Sequence, residues 1–165
     1  MNQDINNYIQ QYNADLTRLC VSLCGNIHDA EDLLQDTWLK AMKHYSKYDC
    51  SKPFEKWLYS ICVNTYKNMR NSAFFKKRKC FKNDEEERIF FNSIADITEN
   101  NFDDYIELHK AICLLSKKHR ITVVLYYFKD YTITEISQIM NVPAGTVKSR
   151  LSAARSEIKR RLTNE

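Results

Sequence analysis

"YTITEISQIMNVPAGTVKSRLSAAR", residues 131–155, holds two helical patterns that meet at a single Pro. Thr132, followed three residues later by Glu135, is a capping box that opens a helix, and Ile133, Ile136, Ile139 and Met140 then recur along one side of it. Asn141 tolerates the left-handed geometry that ends a helix, and Pro143 has its φ pre-set for starting the next. The second pattern runs over about 144–162, with Val147, Leu151, Ala154, Ile158 and Leu162 inward. A short helix, a tight turn and a longer basic helix predict a helix-turn-helix, whose second helix enters a DNA major groove.

Projected at about 100° per residue, Gly145, Ser149, Ser152, Ala153 and Ser156 fall opposite that apolar stripe. Small and hydroxylated residues there let a helix approach base edges. Lys148, Arg150, Arg155, Lys159, Arg160 and Arg161 can meet phosphates or bases. The whole chain has only 2 Gly and 2 Pro, so Pro143 and Gly145, two positions apart, are expected to serve this one motif. The plainer alternative is an amphipathic C-terminal helix with a solvated basic face. It leaves the capped first helix and the small-residue face unexplained.

Outward from the motif, "HRITVVLYYF" (119–128) is rich in β-branched and aromatic residues, which favour a strand. A helix is expected instead, because no partner strand is written nearby and both flanks are helical. "FDDYIELHKAICLL" adds a stripe of Tyr105, Leu108, Ile112 and Leu115. In the N-terminal half, Ile5, Tyr8, Tyr12, Leu16, Leu19 and Leu23 repeat at steps of three and four over 4–26. A second helix is expected with Asp29 as its N-cap and with Ala30, Leu33, Leu34, Thr37, Trp38, Ala41 and Tyr45 inward. After a polar loop at 46–53, a third helix over 54–71 turns Phe54, Trp57, Leu58, Ile61, Cys62 and Thr65 inward. Its outer face shows Lys56, Ser60, Asn64, Lys67 and Asn71.

Scarce Gly and Pro, with 44% hydrophobic and 28% charged residues, predict an all-α protein. The expected organisation is two small helical domains, 1–72 and 102–165, joined by a flexible linker at 73–101. No apolar run reaches the roughly 20 residues of a membrane span, and a soluble, cytoplasmic chain is expected. The net charge of +4 conceals zones: residues 1–39 hold 1 basic and 6 acidic residues, and 40–82 hold 12 and 2. Residues 83–101 again hold 1 and 6, and 102–165 hold 11 and 7. Two basic zones suggest two contacts with a polyanion, and the acidic N-terminal zone suggests a basic partner. The 6 cysteines form no C-x-x-C pair and none has a His at metal-ligand spacing, so buried thiols and no metal or cofactor are expected, with Cys20 and Cys24 the only neighbouring pair. The 4 His make no ligand or triad spacing, which disfavours a nuclease or other enzyme.

These segments, in this order, resemble the extracytoplasmic-function (ECF) sigma factors, small relatives of sigma-70. "DAEDLLQDTWLKA" is similar to family region 2.1 to 2.2, "PFEKWLYSICVNTYKNMRNS" to regions 2.3 to 2.4, and "YTITEISQIMNVPAGTVKSRLSAAR" to region 4.2. The resemblance implies a promoter-specificity subunit with core RNA polymerase, promoter DNA and an anti-sigma factor as partners, and no small-molecule substrate. It implies polymerase binding, to the clamp helices of the largest subunit, by Asp32, Gln35, Asp36 and Trp38, with the flap as a second polymerase contact. It implies −10 contacts by Tyr45, Tyr48, Lys56, Asn64, Lys67, Arg70 and Asn71, with the loop from Tyr45 to Pro53 capturing a flipped base and Tyr59 also able to stack. It implies −35 contacts by Thr146, Lys148, Ser149, Arg150, Ser152 and Arg155. The sequence departs from the family at Ser116, where Pro is common, at Ala153, where a basic residue is common, and in "SICVN" before Asn64. A stand-alone helix-turn-helix regulator is the competing reading, but it has no need of the acidic "DLLQD" helix followed by a basic aromatic one.

Overall fold

The computed structural model describes residues 2–71, 85 and 102–163. The expected linker 73–101 lies outside the described residues except for Glu85, as do the side chains of Arg70 and Tyr105. Every regular element among the described residues is helical, as the composition predicts. In chain order these are α1 (Asn2–Cys24), α2 (Ile27–His44), a 3-10 turn (Tyr45–Lys47), α3 (Phe54–Asn71), α4 (Phe102–Cys113) and α5 (Lys117–Val123). The chain leaves α5 through a π turn (Val124–Phe128) and finishes with α6 (Ile133–Met140) and α7 (Ala144–Leu162). None of the described helices is long and apolar enough to cross a membrane.

Helices α1, α2 and α3 pack on one another through Leu16, Leu19, Leu23, Leu33, Ala41 and Leu58, all essentially without exposure. Helix α2 starts earlier than expected. Asn26 is its N-cap, its side-chain oxygen accepting from the Asp29 backbone N–H at 2.8 Å while its amide donates to the Asp29 carboxylate at 2.8 Å. Asp29 is thus the third helical residue, and the cap lies three positions before the one its carboxylate suggested. The other half packs α5 and α6 on α7 through Ile121, Leu125, Ile136, Val147, Leu151 and Ala154. "HRITVVLYYF" is helical as expected, but its last five residues take the wider π form. Leu162, expected inward, is 42% exposed because it lines an open apolar cavity with Leu108 and Phe128 instead of filling it.

The two halves share one continuous core. α6 packs on α3, with smaller contacts from α5 and the π turn. This seam buries Tyr59, Val63 and Tyr66 on a side of α3 that its first-half stripe leaves outward. Tyr59 meets Tyr131 edge to face at 6.0 Å between ring centroids. Arg120, 1% exposed, donates from Nη1 to the Leu23 carbonyl at 2.9 Å and the Tyr66 hydroxyl at 3.1 Å, and from Nε to the Ile112 carbonyl at 3.2 Å. Each bond satisfies a buried polar group that would otherwise cost free energy. Cys20 meets Cys62, their Sγ atoms 3.8 Å apart across α1 and α3. The Cys62 contact, then burial, pushes the Cys20 thiol well up, which keeps it protonated and unreactive.

Candidate nucleic-acid interface

The turn between α6 and α7 is built as its sequence dictates. Thr132 Oγ1 accepts from the Glu135 N–H at 3.2 Å and Glu135 Oε2 accepts from the Thr132 N–H at 2.9 Å, the reciprocal capping box. Asn141 takes φ 53° and closes α6, its N–H donating to the Gln138 carbonyl at 3.3 Å, while the Val142 N–H reaches Ser137 at 3.0 Å. Pro143 stands at the N-cap of α7 with φ −59°, and its carbonyl accepts from the Thr146 N–H at 2.9 Å. Val147, Leu151 and Ala154 anchor α7 in the core, so its opposite side is turned out. Gly145, Lys148, Ser149, Ser152, Ala153, Arg155 and Ser156 are exposed, with Thr146 and Arg150 half-buried beside them. A Cβ added at Gly145 would meet nothing within 4 Å. Arg155 is held in place: its Nε donates to the Tyr127 hydroxyl at 2.6 Å, and its guanidinium lies 5.8 and 5.7 Å from the ring centres of Tyr126 and Tyr127.

The loop before α3 is tied into an aromatic cluster. Tyr8 stacks on Phe54 at 3.9 Å, Tyr48 meets Phe54 edge to face at 5.3 Å and Trp57 at 5.0 Å, and Tyr45 lies 6.1 Å from Tyr48. The Tyr48 hydroxyl donates to the Lys52 carbonyl, and Asp49 Oδ1 accepts from the Ser51 N–H at 3.0 Å. Tyr45 and Tyr48 are half-buried. Tyr59 is not available to stack on a base: it is 0% exposed beneath Tyr131, a burial set by the second half that its own neighbours in sequence do not signal.

On the outer face of α3, Asn64 and Asn71 are exposed and Lys56 and Lys67 half-buried. Lys56, Lys67 and Asn71 meet the second half. Lys56 Nζ pairs with Glu135 Oε1 at 2.9 Å, and the contacts with Lys56 and with Thr132 hold the Glu135 carboxyl down at about 2. Lys117 Nζ donates to the Asn71 side chain and to the Lys67 carbonyl, the latter at 3.4 Å. Burial, then the nearby charges of Arg150 and Lys117, pushes the Lys67 ammonium down. A cavity of about 520 Å³ between the halves is lined by Lys56, Trp57 and Ser60 on one side and Gln138 and Ile139 on the other.

On α2, Asp32, Gln35 and Asp36 are exposed on one side. Trp38 does not join them: it is 7% exposed and its indole N–H donates to Asn13 Oδ1 at 3.0 Å, because its place in the inward stripe turns it onto α1. The exposed side carries instead Leu39, 61% exposed, and Met42. Both were detectable in sequence as apolar residues lying off the inward stripe of α2.

Comparison with known proteins bears on both halves. Residues 8–73 match the family model for sigma-70 region 2, and residues 105–158 that for sigma-70 region 4. The ECF RNA polymerase sigma factor SigW of Bacillus subtilis is 29% identical over 163 aligned residues, spanning 92% of this chain and 84% of the relative. The RNA polymerase sigma-H factor of Pseudomonas aeruginosa is 25% identical, spanning 93% and 83%. Among solved structures, the sigma factor RpoE in complex with the anti-sigma factor NepR from Bartonella quintana shares the fold with a TM-score of 0.73 and 24% identity, over 98% of each chain. CnrH in complex with the cytosolic domain of CnrY shares it with a TM-score of 0.72 and 16% identity, over 100% of this chain and 91% of that one.

Proposed function

The chain belongs to the sigma-70 family, within its extracytoplasmic-function group, and from that premise we propose which of its surfaces carry the work. It is a subunit that directs RNA polymerase to promoters, and it is not itself an enzyme. In our reading residues 1–72 bind core polymerase and the −10 element, 102–165 bind the −35 element, and 73–101 connect them along the polymerase.

Asp32, Gln35 and Asp36 on α2 dock on the clamp helices of the largest subunit, with Leu39 and Met42 supplying apolar contact. Tyr45 and Tyr48 receive unstacked −10 bases, while Lys56, Asn64, Lys67, Arg70 and Asn71 hold the strand by its phosphates and base edges. Trp57, also part of the aromatic cluster, flanks that site. On α7, Thr146, Lys148, Ser149, Arg150, Ser152 and Arg155 meet the −35 duplex in the major groove. The observation that carries this reading is the exposed, small-residue face of α7, opposite a buried stripe and behind a capped turn.

An anti-sigma protein is a further partner in this reading, since a fold relative was solved with one. An apolar cavity of about 620 Å³ on the second half, lined by Leu108, Val123, Tyr127, Phe128, Ile158 and Leu162 among others, offers such a partner or the polymerase flap a seat. The chain then works in the cytoplasm, where polymerase and chromosome are.

Mixing the protein with core polymerase and a promoter library, and mapping transcript starts, tests the assignment. New starts that share paired −35 and −10 sequences are expected. Unchanged transcription together with tight duplex binding by the protein alone would replace it with a stand-alone regulator.

A further inference from the structure

The edge of α7 that flanks its small-residue face carries Lys148, Ser152, Arg155 and Lys159, spaced four, three and four apart and all exposed. Of these, Arg155 is tied to the scaffold. Its Nε donates to the Tyr127 hydroxyl at 2.6 Å, and its guanidinium stands 5.7 Å from the Tyr127 ring centre and 5.8 Å from that of Tyr126. The two rings meet edge to face at 4.9 Å, so two consecutive tyrosines form a corner around one cation. Both belong to the π turn Val124–Phe128, which Val124 and Leu125, fully buried, fix to the core. Such turns are rare and occur frequently at functional positions.

A guanidinium holds its N–H donors in one rigid plane. With Nε given to Tyr127, the two Nη groups remain as a fork that matches a pair of phosphate oxygens. A long side chain that is free in solution loses rotamer freedom when it meets DNA, which weakens binding. Arg155 has lost part of that freedom before DNA arrives.

We propose that Tyr127 is a positioning residue for −35 recognition: it accepts from Nε of Arg155, closes a ring corner around it with Tyr126, and so presents the Nη fork to a backbone phosphate of the duplex. This rests on the promoter reading above and extends it to a residue that does not itself touch DNA. A phosphate contact fixes the register of α7 in the groove and carries no base preference. Tyr127 therefore sets how firmly the helix is seated, and the exposed small-residue face keeps the choice of bases.

The test assembles core polymerase with the full chain carrying Tyr127→Phe, Arg155→Ala or both. Anisotropy reads binding of a labelled −35 duplex from a mapped start site at several salt concentrations. Phe keeps the ring beside Arg155 and the wall of the apolar cavity, and removes only the acceptor. Tyr127 is 49% exposed, so melting temperature and pull-down with core polymerase should match wild type. Tyr127→Phe is expected to weaken duplex binding about threefold to tenfold, evenly across duplexes with single base changes and with an unchanged salt slope. Arg155→Ala is expected to lower that slope by about one, and on its background Tyr127→Phe should cost nothing further. Wild-type affinity in Tyr127→Phe, or a loss that persists without Arg155, overturns the proposal. An unchanged slope in Arg155→Ala removes the phosphate contact and the proposal with it. Failure of the wild-type holoenzyme to initiate transcription overturns the promoter reading instead, and is read from transcripts.

Discussion

Gly145 and His109 show how far single residues decide behaviour here. Gly145 stands in the first turn of α7, exposed and with open space around it. Leu at that position gains about 1 kcal/mol of helix propensity over Gly, so Gly145→Leu should melt at or above the wild-type temperature. The added side chain holds the backbone off the groove, and affinity of the holoenzyme for the −35 duplex should fall roughly tenfold, about 1.4 kcal/mol. A variant that folds and binds normally would remove Gly145 from the reading face. His109 is buried against Phe128, the rings 5.2 Å apart and edge to face, and burial holds its imidazole down at about 4 against an ordinary 6.5. The unfolded chain therefore takes up the proton first. Its share of stability is complete above pH 6.5 and is lost as pH falls toward 4, by about 3 kcal/mol over that window. Urea unfolding at pH 7 and pH 5 should show His109→Phe losing less on acidification than wild type, and equal losses would refute this.

At the scale of elements, α2 divides into a face that folds and a face that docks. Asp36→Arg reverses a charge on an exposed turn, where stability changes are usually within about 0.5 kcal/mol. Pull-down with core polymerase should be abolished while binding of the full chain to a −35 duplex persists. Loss of both would mean misfolding and withdraw the docking surface. The same helix shows what was legible beforehand. The stripe of Ala30, Leu33, Thr37, Trp38 and Ala41 was readable from spacing, because those residues pack on a neighbour close in sequence. The starts of α3, α6 and α7 were readable as well, since Pro53, the Thr132–Glu135 box and Pro143 act locally. The burial of Tyr59, Val63 and Tyr66 was not, because what covers them is contributed by residues some 50 to 80 positions away. Trp38 exposes a different difficulty: resemblance placed it with its exposed neighbours, while periodicity placed it inward, and the bond to Asn13 decides for periodicity.

For the whole molecule, the continuous core makes the two halves one thermodynamic unit. Both tryptophans, Trp38 and Trp57, lie in the N-terminal half, Trp57 also lining the cavity between the halves, so their fluorescence reports that half and its seam, whereas far-ultraviolet dichroism reports every helix. The two melting curves should coincide for the free wild-type chain. Arg120→Met removes the donor shared by Leu23, Tyr66 and Ile112, at about 1–3 kcal/mol for each buried group left unsatisfied. In that variant the curves should separate, and continued coincidence would show that the apolar seam alone couples the halves. The π turn at Val124–Phe128 has a consequence of another kind. A π turn accommodates one residue more than an α-helix would over the same rise. Removing one residue there would restore regular winding and keep the phase of everything downstream relative to α5, whereas the same deletion from a regular α turn would rotate it by about 100°. The stretch therefore takes up a length change between the scaffold and the reading head: loss of one residue within it should leave α6 and α7 aimed as they are and every DNA-facing side chain in place.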